Sequence, residues 1–249
     1  MPPRIAIPMP HSLDREYAER AIAQYERAVQ KAGGEAVRIP LNQASAEIMK
    51  AEVLKIIKNC DGVLLPGSKA DVDPSKFSAQ RSPHTAAADP RRDAVDELLL
   101  QDAYNRRKPV LGICYGLQSL NVYRAGSLIQ HILDFLPEDL RTKVNHEAGK
   151  KIAVAHTVEV ESDSKLEEIL SRGDKRMIPV NSSHHQSADV IGSGLRIAAR
   201  CPDDGIIEAL EGTAPDHFVL AVQWHPERSI DQDEPSRAIF RALIKATQR

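Results

Sequence analysis

Residues 109–118 read PVLGICYGLQ, an apolar run that passes without a linker into a helical pattern. Pro109–Cys114 reads as a strand buried on both faces, since its apolar residues do not alternate with polar ones. A helix begins at once. Gly112 and Gly116 stand two residues before and two after Cys114, and so remove side chains that would clash in a sharp strand-to-helix turn. Such a turn lifts the thiol out of the sheet and sets it at a helix N-terminus, whose partial positive charge favours the thiolate. It also aims the Tyr115 amide at the place where a tetrahedral oxyanion would form. From this stretch alone, a cysteine buried at a tight packing point reads equally well.

Outward from this turn, short apolar runs keep alternating with helical patterns. Arg4–Pro10 reads as a strand, followed by a helix whose face carries Tyr17, Ala21, Tyr25 and Ala28 and which ends at Gly33-Gly34. Glu35–Leu41 is a second strand, followed by a helix through Ile48, Leu54 and Ile57. Gly62–Pro66 is another doubly buried run. Asp89-Pro90 opens a helix with proline at its first position. Strands are expected near 127–132, 152–160, 177–180, 195–200, 205–210 and 218–224, and a last helix from Pro235. This order predicts an α/β fold, a three-layer sandwich with a mostly parallel central sheet between helices, in one domain over 1–249. The long polar segments 68–89 and 134–151 read as active-site walls.

A balance of 33 basic against 35 acidic side chains argues against nucleic acid or an anionic membrane as partner. No apolar stretch approaches the ~20 residues of a membrane span. Met1–Ile7 lacks the charged head and apolar core of a secretion signal. Three cysteines, at 60, 114 and 201, make no disulfide framework. A cytoplasmic protein with reduced thiols is expected.

A second strand end settles what the first left open. Phe218–Trp224 (FVLAVQW) is a buried run that delivers His225-Pro226-Glu227 at its end. His225 and Glu227, two apart in extended backbone, project to one side, so the carboxylate can orient an imidazole that faces a thiol. A Cys114–His225–Glu227 triad follows.

With these motifs in place, the chain resembles the class I glutamine amidotransferase-like superfamily (a flavodoxin-like architecture), and within it the γ-glutamyl-γ-aminobutyrate hydrolase family. The likeness runs through Gly62–Ser68 (GVLLPGS) with Asp71–Pro74 (DVDP), Ala88–Asp93 (ADPRRD), Gly112–Gln118 (GICYGLQ), Val180–Gln186 (VNSSHHQ) and Val222–Glu227 (VQWHPE). The resemblance implies Cys114 as nucleophile, His225 as base and acid, and Glu227 as its orienter. It implies an oxyanion hole from the Gly67–Ser68 backbone and the Tyr115 amide, with Gln118, Ser183 and His184 holding the γ-glutamyl group. The implied reaction is hydrolysis of γ-glutamyl amides of small amines through a γ-glutamyl thioester, with γ-glutamyl-γ-aminobutyrate from putrescine breakdown as leading substrate. It implies no cofactor and allows a homodimer. Ser68 stands where the family has a second loop glycine. Tyr115 stands where its hydrolases commonly carry Arg, and C-Y-G is similar to the glutaminase parts of some biosynthetic amidotransferases. The Tyr115 side chain is expected beside the departing amine, giving tolerance of neutral or cationic amines.

Two rival functions remain: a glutaminase subunit supplying ammonia to a separate synthase, and a catalytically silent binding protein of the same fold. The histidines at 146, 156, 184 and 185 and the Asp71/Asp73 pair match no zinc spacing, so no metal is expected. Arg91-Arg92 reads as solvated helix-end charge.

Overall fold

The computed structural model describes residues 1–41, 45–170 and 176–248. In chain order it contains β1 (Arg4–Pro8), α1 (Arg15–Lys31), β2 (Glu35–Ile39), α2 (Ala46–Ile57), β3 (Gly62–Leu65), α3 (Pro90–Arg106), β4 (Val110–Ile113), α4 (Tyr115–Tyr123), β5 (Leu128–Ile129) and α5 (Ile132–Phe135). Then follow β6 (His156–Val160), α6 (Lys165–Leu170), β7 (Met177–Val180), β8 (Ser187–Ala188), β9 (Leu195–Arg200), β10 (Ile207–Gly212), β11 (Val219–Val222) and α7 (Glu234–Ala246).

Nine strands form one sheet in the order β2-β1-β3-β4-β11-β10-β9-β6-β7. The run from β2 to β11 is parallel. From β11 to β7 every pairing is antiparallel. Alternation along a strand sends neighbours to opposite layers. Ile5 and Ile7 join Ile22, Val29, Phe240 and Leu243 of α1 and α7, while Ala6 joins Val53, Leu99 and Leu117 of α2, α3 and α4. The α/β sandwich expected from the sequence is therefore present.

The helix starts follow from their caps. The carboxylates of Asp14, Asp89 and Asp233 accept the amides of Tyr17, Arg92 and Ser236, each satisfying a donor that has no acceptor within its helix. Two expected strands are shorter than read. The 127–132 segment leaves the strand after Ile129. Gln130 there turns to the preceding loop, accepting the Ser82 amide at 2.8 Å and donating to the Gln80 carbonyl at 2.8 Å. β5 pairs only with β8, in a separate two-stranded ribbon. The 152–160 segment is strand only from His156, with Ile152 and Val154 exposed.

Where helix α4 starts, it lies against the sheet with no room for a side chain. A Cβ on Gly116 would come within 2.2 Å of the Leu65 carbonyl oxygen, and one on Gly112 within 2.8 Å of the Gly116 oxygen.

Arg92 corrects the reading of a solvated helix end, for it is fully buried. Its Nε donates to Asp96 Oδ1 at 2.7 Å, Nη1 to the Pro10 carbonyl at 3.2 Å and Nη2 to the Pro66 carbonyl at 2.6 Å. One guanidinium thus ties the segments leaving β1 and β3 to α3. Tyr115 belongs to the same cluster. Its hydroxyl donates to Asp93 Oδ1 and its ring lies 4.9 Å from the Arg92 guanidinium carbon. Ala70, Val72 and Leu128 pack around it. At 1% exposure this side chain does not line a cleft, so the expectation that it stands beside the departing amine is overturned. The ring is drawn inward because Asp93 and Arg92 give its polar tip and its face partners.

Two substitutions test this packing. Gly116→Ala is expected to destabilise by the upper end of, or beyond, the ~1–3 kcal/mol typical of overpacking, because the obstacle is backbone. Tyr115→Phe leaves the Asp93 carboxylate without its buried donor and is expected to cost ~1–3 kcal/mol. Denaturant melts measure both, and Tyr115→Phe should leave the relative kcat/KM across different amines unchanged.

Candidate active site

Neighbouring parallel strands β4 and β11 end side by side, with Ile113 opposite Val222. The Cys114 amide donates to the Val222 carbonyl at 2.8 Å, which carries the register one residue past the strand. Cys114 follows β4 directly, and His225 lies three residues beyond β11. Both side chains reach the carboxyl edge of a parallel sheet, where open α/β folds place their ligands.

Cys114 adopts φ 53° and ψ −106°. A non-glycine residue here costs on the order of 1–3 kcal/mol and persists only when its surroundings enforce it. Enforcement comes from the close contacts of Gly112 and Gly116 and from the Leu117 and Gln118 amides, which donate to the Cys114 carbonyl at 3.0 and 3.3 Å. The next two amides, of Tyr115 and Gly116, begin the helix and have no acceptor within it.

His225 Nδ1 lies 2.8 Å from Glu227 Oε1. The link differs in form from the extended pair expected: Pro226–Arg228 is a single 3₁₀ turn, with proline setting its first residue. The backbone of His225 is clamped by Asn181, whose Nδ2 donates to the His225 carbonyl at 2.9 Å and whose Oδ1 accepts its amide at 2.9 Å. Burial pulls the His225 pKa down. The Glu227 carboxylate and then Cys114 outweigh that and raise it from 6.5 to about 9. Burial likewise opposes charge on Glu227, but the facing imidazole holds its pKa below the ordinary value. The pair is an imidazolium and carboxylate at neutral pH.

Gly67 closes the other side. A Cβ there would lie 3.1 Å from His225 Cε1 and 3.6 Å from Cys114 Cβ, so glycine is what lets the loop approach both. Its amide, however, donates to the Tyr25 hydroxyl at 3.0 Å. This corrects the expectation of Gly67 as an oxyanion donor: its N–H is already committed. Ser68 follows it, half-buried, and its hydroxyl accepts the Ala70 amide at 3.1 Å.

The three residues expected to hold the γ-glutamyl group fare differently. Gln118 is buried, and its Nε2 donates to the Gln186 carbonyl and to Gln223 Oε1, both at 3.3 Å. Ser183 is half-buried. His184 is turned into the protein, with Nδ1 2.8 Å from the Gln186 carbonyl and Nε2 3.3 Å from Glu208 Oε1. The ring is buried, its Nδ1 is committed to a carbonyl and its Nε2 faces the enclosed Glu208, so the expectation that it grips substrate is overturned.

Tyr17, Tyr25 and Asn181 escaped the sequence reading as site residues. Tyr17 and Tyr25 read as one apolar face of α1. Yet phenols on an otherwise alanine-lined face need polar partners, and that was the available signal. Tyr17 is half-buried and within electrostatic reach of Cys114: burial, then the charge of that residue, raise its pKa to about 12. Lys69 stands 4.6 Å over its ring.

A Thermoplasma acidophilum protein, solved as a candidate subunit of GMP synthase, superposes with a TM-score of 0.65 over 100% of this chain and 95% of its own, at 16% identity. That likeness concerns the fold. A protein of Mycobacterium tuberculosis named as a candidate glutamine amidotransferase is 36% identical over 90% of this chain, which covers 66% of that protein's length. The γ-glutamyl-γ-aminobutyrate hydrolase PuuD of Escherichia coli is 33% identical over 90% of this chain and 85% of its own. A Rickettsia prowazekii protein named as glutamine amidotransferase-like is 30% identical over 96% of this chain and 90% of its own. Residues 6–227 match the Peptidase C26 family, and the chain belongs to that family of class I glutamine amidotransferase-like hydrolases.

Proposed function

We propose that the protein hydrolyses γ-glutamyl amides of small amines, with γ-glutamyl-γ-aminobutyrate as leading substrate. The observation that carries this reading is the strained Cys114 held beside a His225 that is itself oriented by Glu227. The hydrolase names among its relatives at about 33% identity support the substrate class.

In this reaction the proton already rests on the His225 imidazolium, and the Cys114 sulfur attacks the γ-carbonyl carbon as a thiolate. The Tyr115 and Ser68 amides receive the oxyanion. The imidazolium gives its proton to the leaving nitrogen, the C–N bond breaks, and the amine departs from a γ-glutamyl thioester. Water, deprotonated by His225, attacks the thioester carbon. The C–S bond breaks, glutamate leaves, and the thiolate is restored beside an imidazolium that keeps the proton taken from water. Glu227 stays ionised throughout and steadies the imidazolium. Gln118 and Ser183 edge the γ-glutamyl side. Lys69, half-exposed on the loop that bears Ser68, pairs with the Asp14 carboxylate at 2.7 Å and keeps further N–H donors for a substrate carboxylate.

The relatives named as glutamine amidotransferases favour a second reading, a glutaminase that passes ammonia to a separate synthase. Glutamate release from a panel of γ-glutamyl amides, glutamine included, separates the two. Hydrolysis requires turnover by the chain alone with amine conjugates preferred. The second reading requires glutamine preference and stimulation by a partner.

Cys114→Ala is expected to fold and be inactive, and retained turnover would refute the mechanism. His225→Ala should lose several orders of magnitude. Glu227→Gln, which removes only the orienting charge, should lose on the order of 10²–10⁴.

The pH dependence has a definite sign. His225 titrates above its ordinary 6.5, at about 9, so its charged form adds stability that is complete below pH 6.5 and is lost as pH rises through 9. Activity should fall over the same alkaline limb, as the proton for the leaving amine is lost. In Glu227→Gln the limb should move to lower pH, since the main charge raising His225 is gone. A kcat/KM profile of both proteins measures it.

A further inference from the structure

Beyond the triad lies a second cluster of chemistry-bearing side chains, enclosed in the antiparallel half of the sheet. Glu208 of β10 is fully buried, and one of its oxygens, Oε1, is approached by three imidazoles. His146 Nδ1 is 3.0 Å away, His156 Nε2 3.3 Å and His184 Nε2 3.3 Å. None of these approaches has hydrogen-bond alignment. The three nitrogens and both Glu208 oxygens are enclosed side-chain atoms with no hydrogen-bond partner among the described residues. Unsatisfied buried polar atoms are rare, and here four of the five converge on one spot.

The other nitrogen of each ring explains the arrangement. His146 Nε2 is 2.8 Å from Asp204 Oδ2, His156 Nδ1 is 3.0 Å from the Thr157 carbonyl, and His184 Nδ1 is 2.8 Å from the Gln186 carbonyl. Each outer nitrogen must donate to its oxygen. In the neutral rings, the form that binds a metal, the lone pairs of the inner three therefore point at the Glu208 carboxylate. This is how metal-binding histidines are held: an outer oxygen fixes the tautomer and turns the lone pair inward.

We infer that His146, His156, His184 and Glu208 form a closed structural site for a divalent transition-metal ion, zinc by its donor set. The four ligand atoms lie within 4.8 Å of one another. Metal–ligand bonds of ~2.0–2.2 Å in a regular tetrahedron require ligand separations of roughly 3.3–3.5 Å, which the three nitrogen–oxygen distances approach. Three imidazoles and a carboxylate suit zinc. The two buried carboxylates, Glu208 on the ion and Asp204 behind His146, balance its two charges. Four protein ligands without solvent access leave no position for a reacting water, so the role is structural.

The sequence hides this site because its ligands come from four separate segments: the loop before β6, the first residue of β6, the loop after β7, and β10. The ion would therefore pin the 181–186 stretch to the sheet, and that stretch carries Asn181, the clamp on His225. Glu208 is itself bonded through its carbonyl to the Gln223 amide at 2.7 Å, two residues before His225.

Elemental analysis of the purified, tag-free protein grown with added zinc tests this without reference to activity. The expectation is ~1 equivalent of zinc per chain, as for a closed four-ligand site. Stripping with a strong chelator should lower the melting temperature, and zinc should restore it. Glu208→Gln and His156→Asn should each lose the metal. His131→Asn, at the exposed His84/His131/Asp134 group, should retain it. If these variants fail to fold, chelation and Co(II) reconstitution of the wild type still decide: tetrahedral visible bands are expected. Protein without stoichiometric metal that neither takes up Co(II) nor shifts its melting with zinc would overturn the site. So would metal lost with His131→Asn but kept with Glu208→Gln. Neither outcome touches the hydrolytic reading, which the amide panel tests separately.

Discussion

The contact between the first turn of α4 and the Leu65 carbonyl governs the rest of the site. Because Gly116 has no side chain, the helix can start directly on the sheet. Because it starts there, the one residue between β4 and α4 must adopt a left-handed φ. The strain at Cys114 is thus the cost of setting a thiol at the start of a helix whose first amides have no acceptor within it. Packing on both layers offsets it, since fully buried side chains such as Leu64 and Phe240 contribute on the order of 1.5–3 kcal/mol each. Arg92 secures the same corner from beneath, holding the Pro10 and Pro66 carbonyls.

Much of this was legible in the order of residues. Doubly apolar runs such as Gly62–Leu65 and Val110–Ile113 announced parallel strands, and Asp-Pro announced α3. The Gly112/Cys114/Gly116 spacing announced the sharp turn at Cys114, and the His225/Glu227 pair announced an oriented imidazole. What was not legible depends on contacts between distant segments. The Gly67 amide goes to Tyr25, forty-two residues away, and no local pattern reports that. Tyr115 read as a pocket residue because it directly follows Cys114 in the chain. Its side chain follows Asp93 and Arg92 instead. Arg92 read as solvated because helix-end arginines usually are, whereas its carbonyl partners lie on two other strands' exits.

The histidines show the same limit. Spacing rules for metal sites assume ligands close together in sequence, whereas His146, His156, His184 and Glu208 are scattered over residues 146–208. The fold joins that half to the chemistry through Asn181 and the β10–β11 pairing. The parallel half carries Cys114 and the antiparallel half clamps the backbone of His225 through Asn181, so the geometry between the two depends on how well the halves are held together.

The central claim is that Cys114 carries the γ-glutamyl group as a thioester. Rapid acid quench during turnover of a γ-glutamyl amide, followed by peptide mass spectrometry, tests it most directly. The account predicts a γ-glutamyl adduct on the peptide containing Cys114, absent without substrate and released on return to neutral pH. An adduct on Cys60 or Cys201, or steady turnover with no adduct on Cys114 under any quench time, would contradict it.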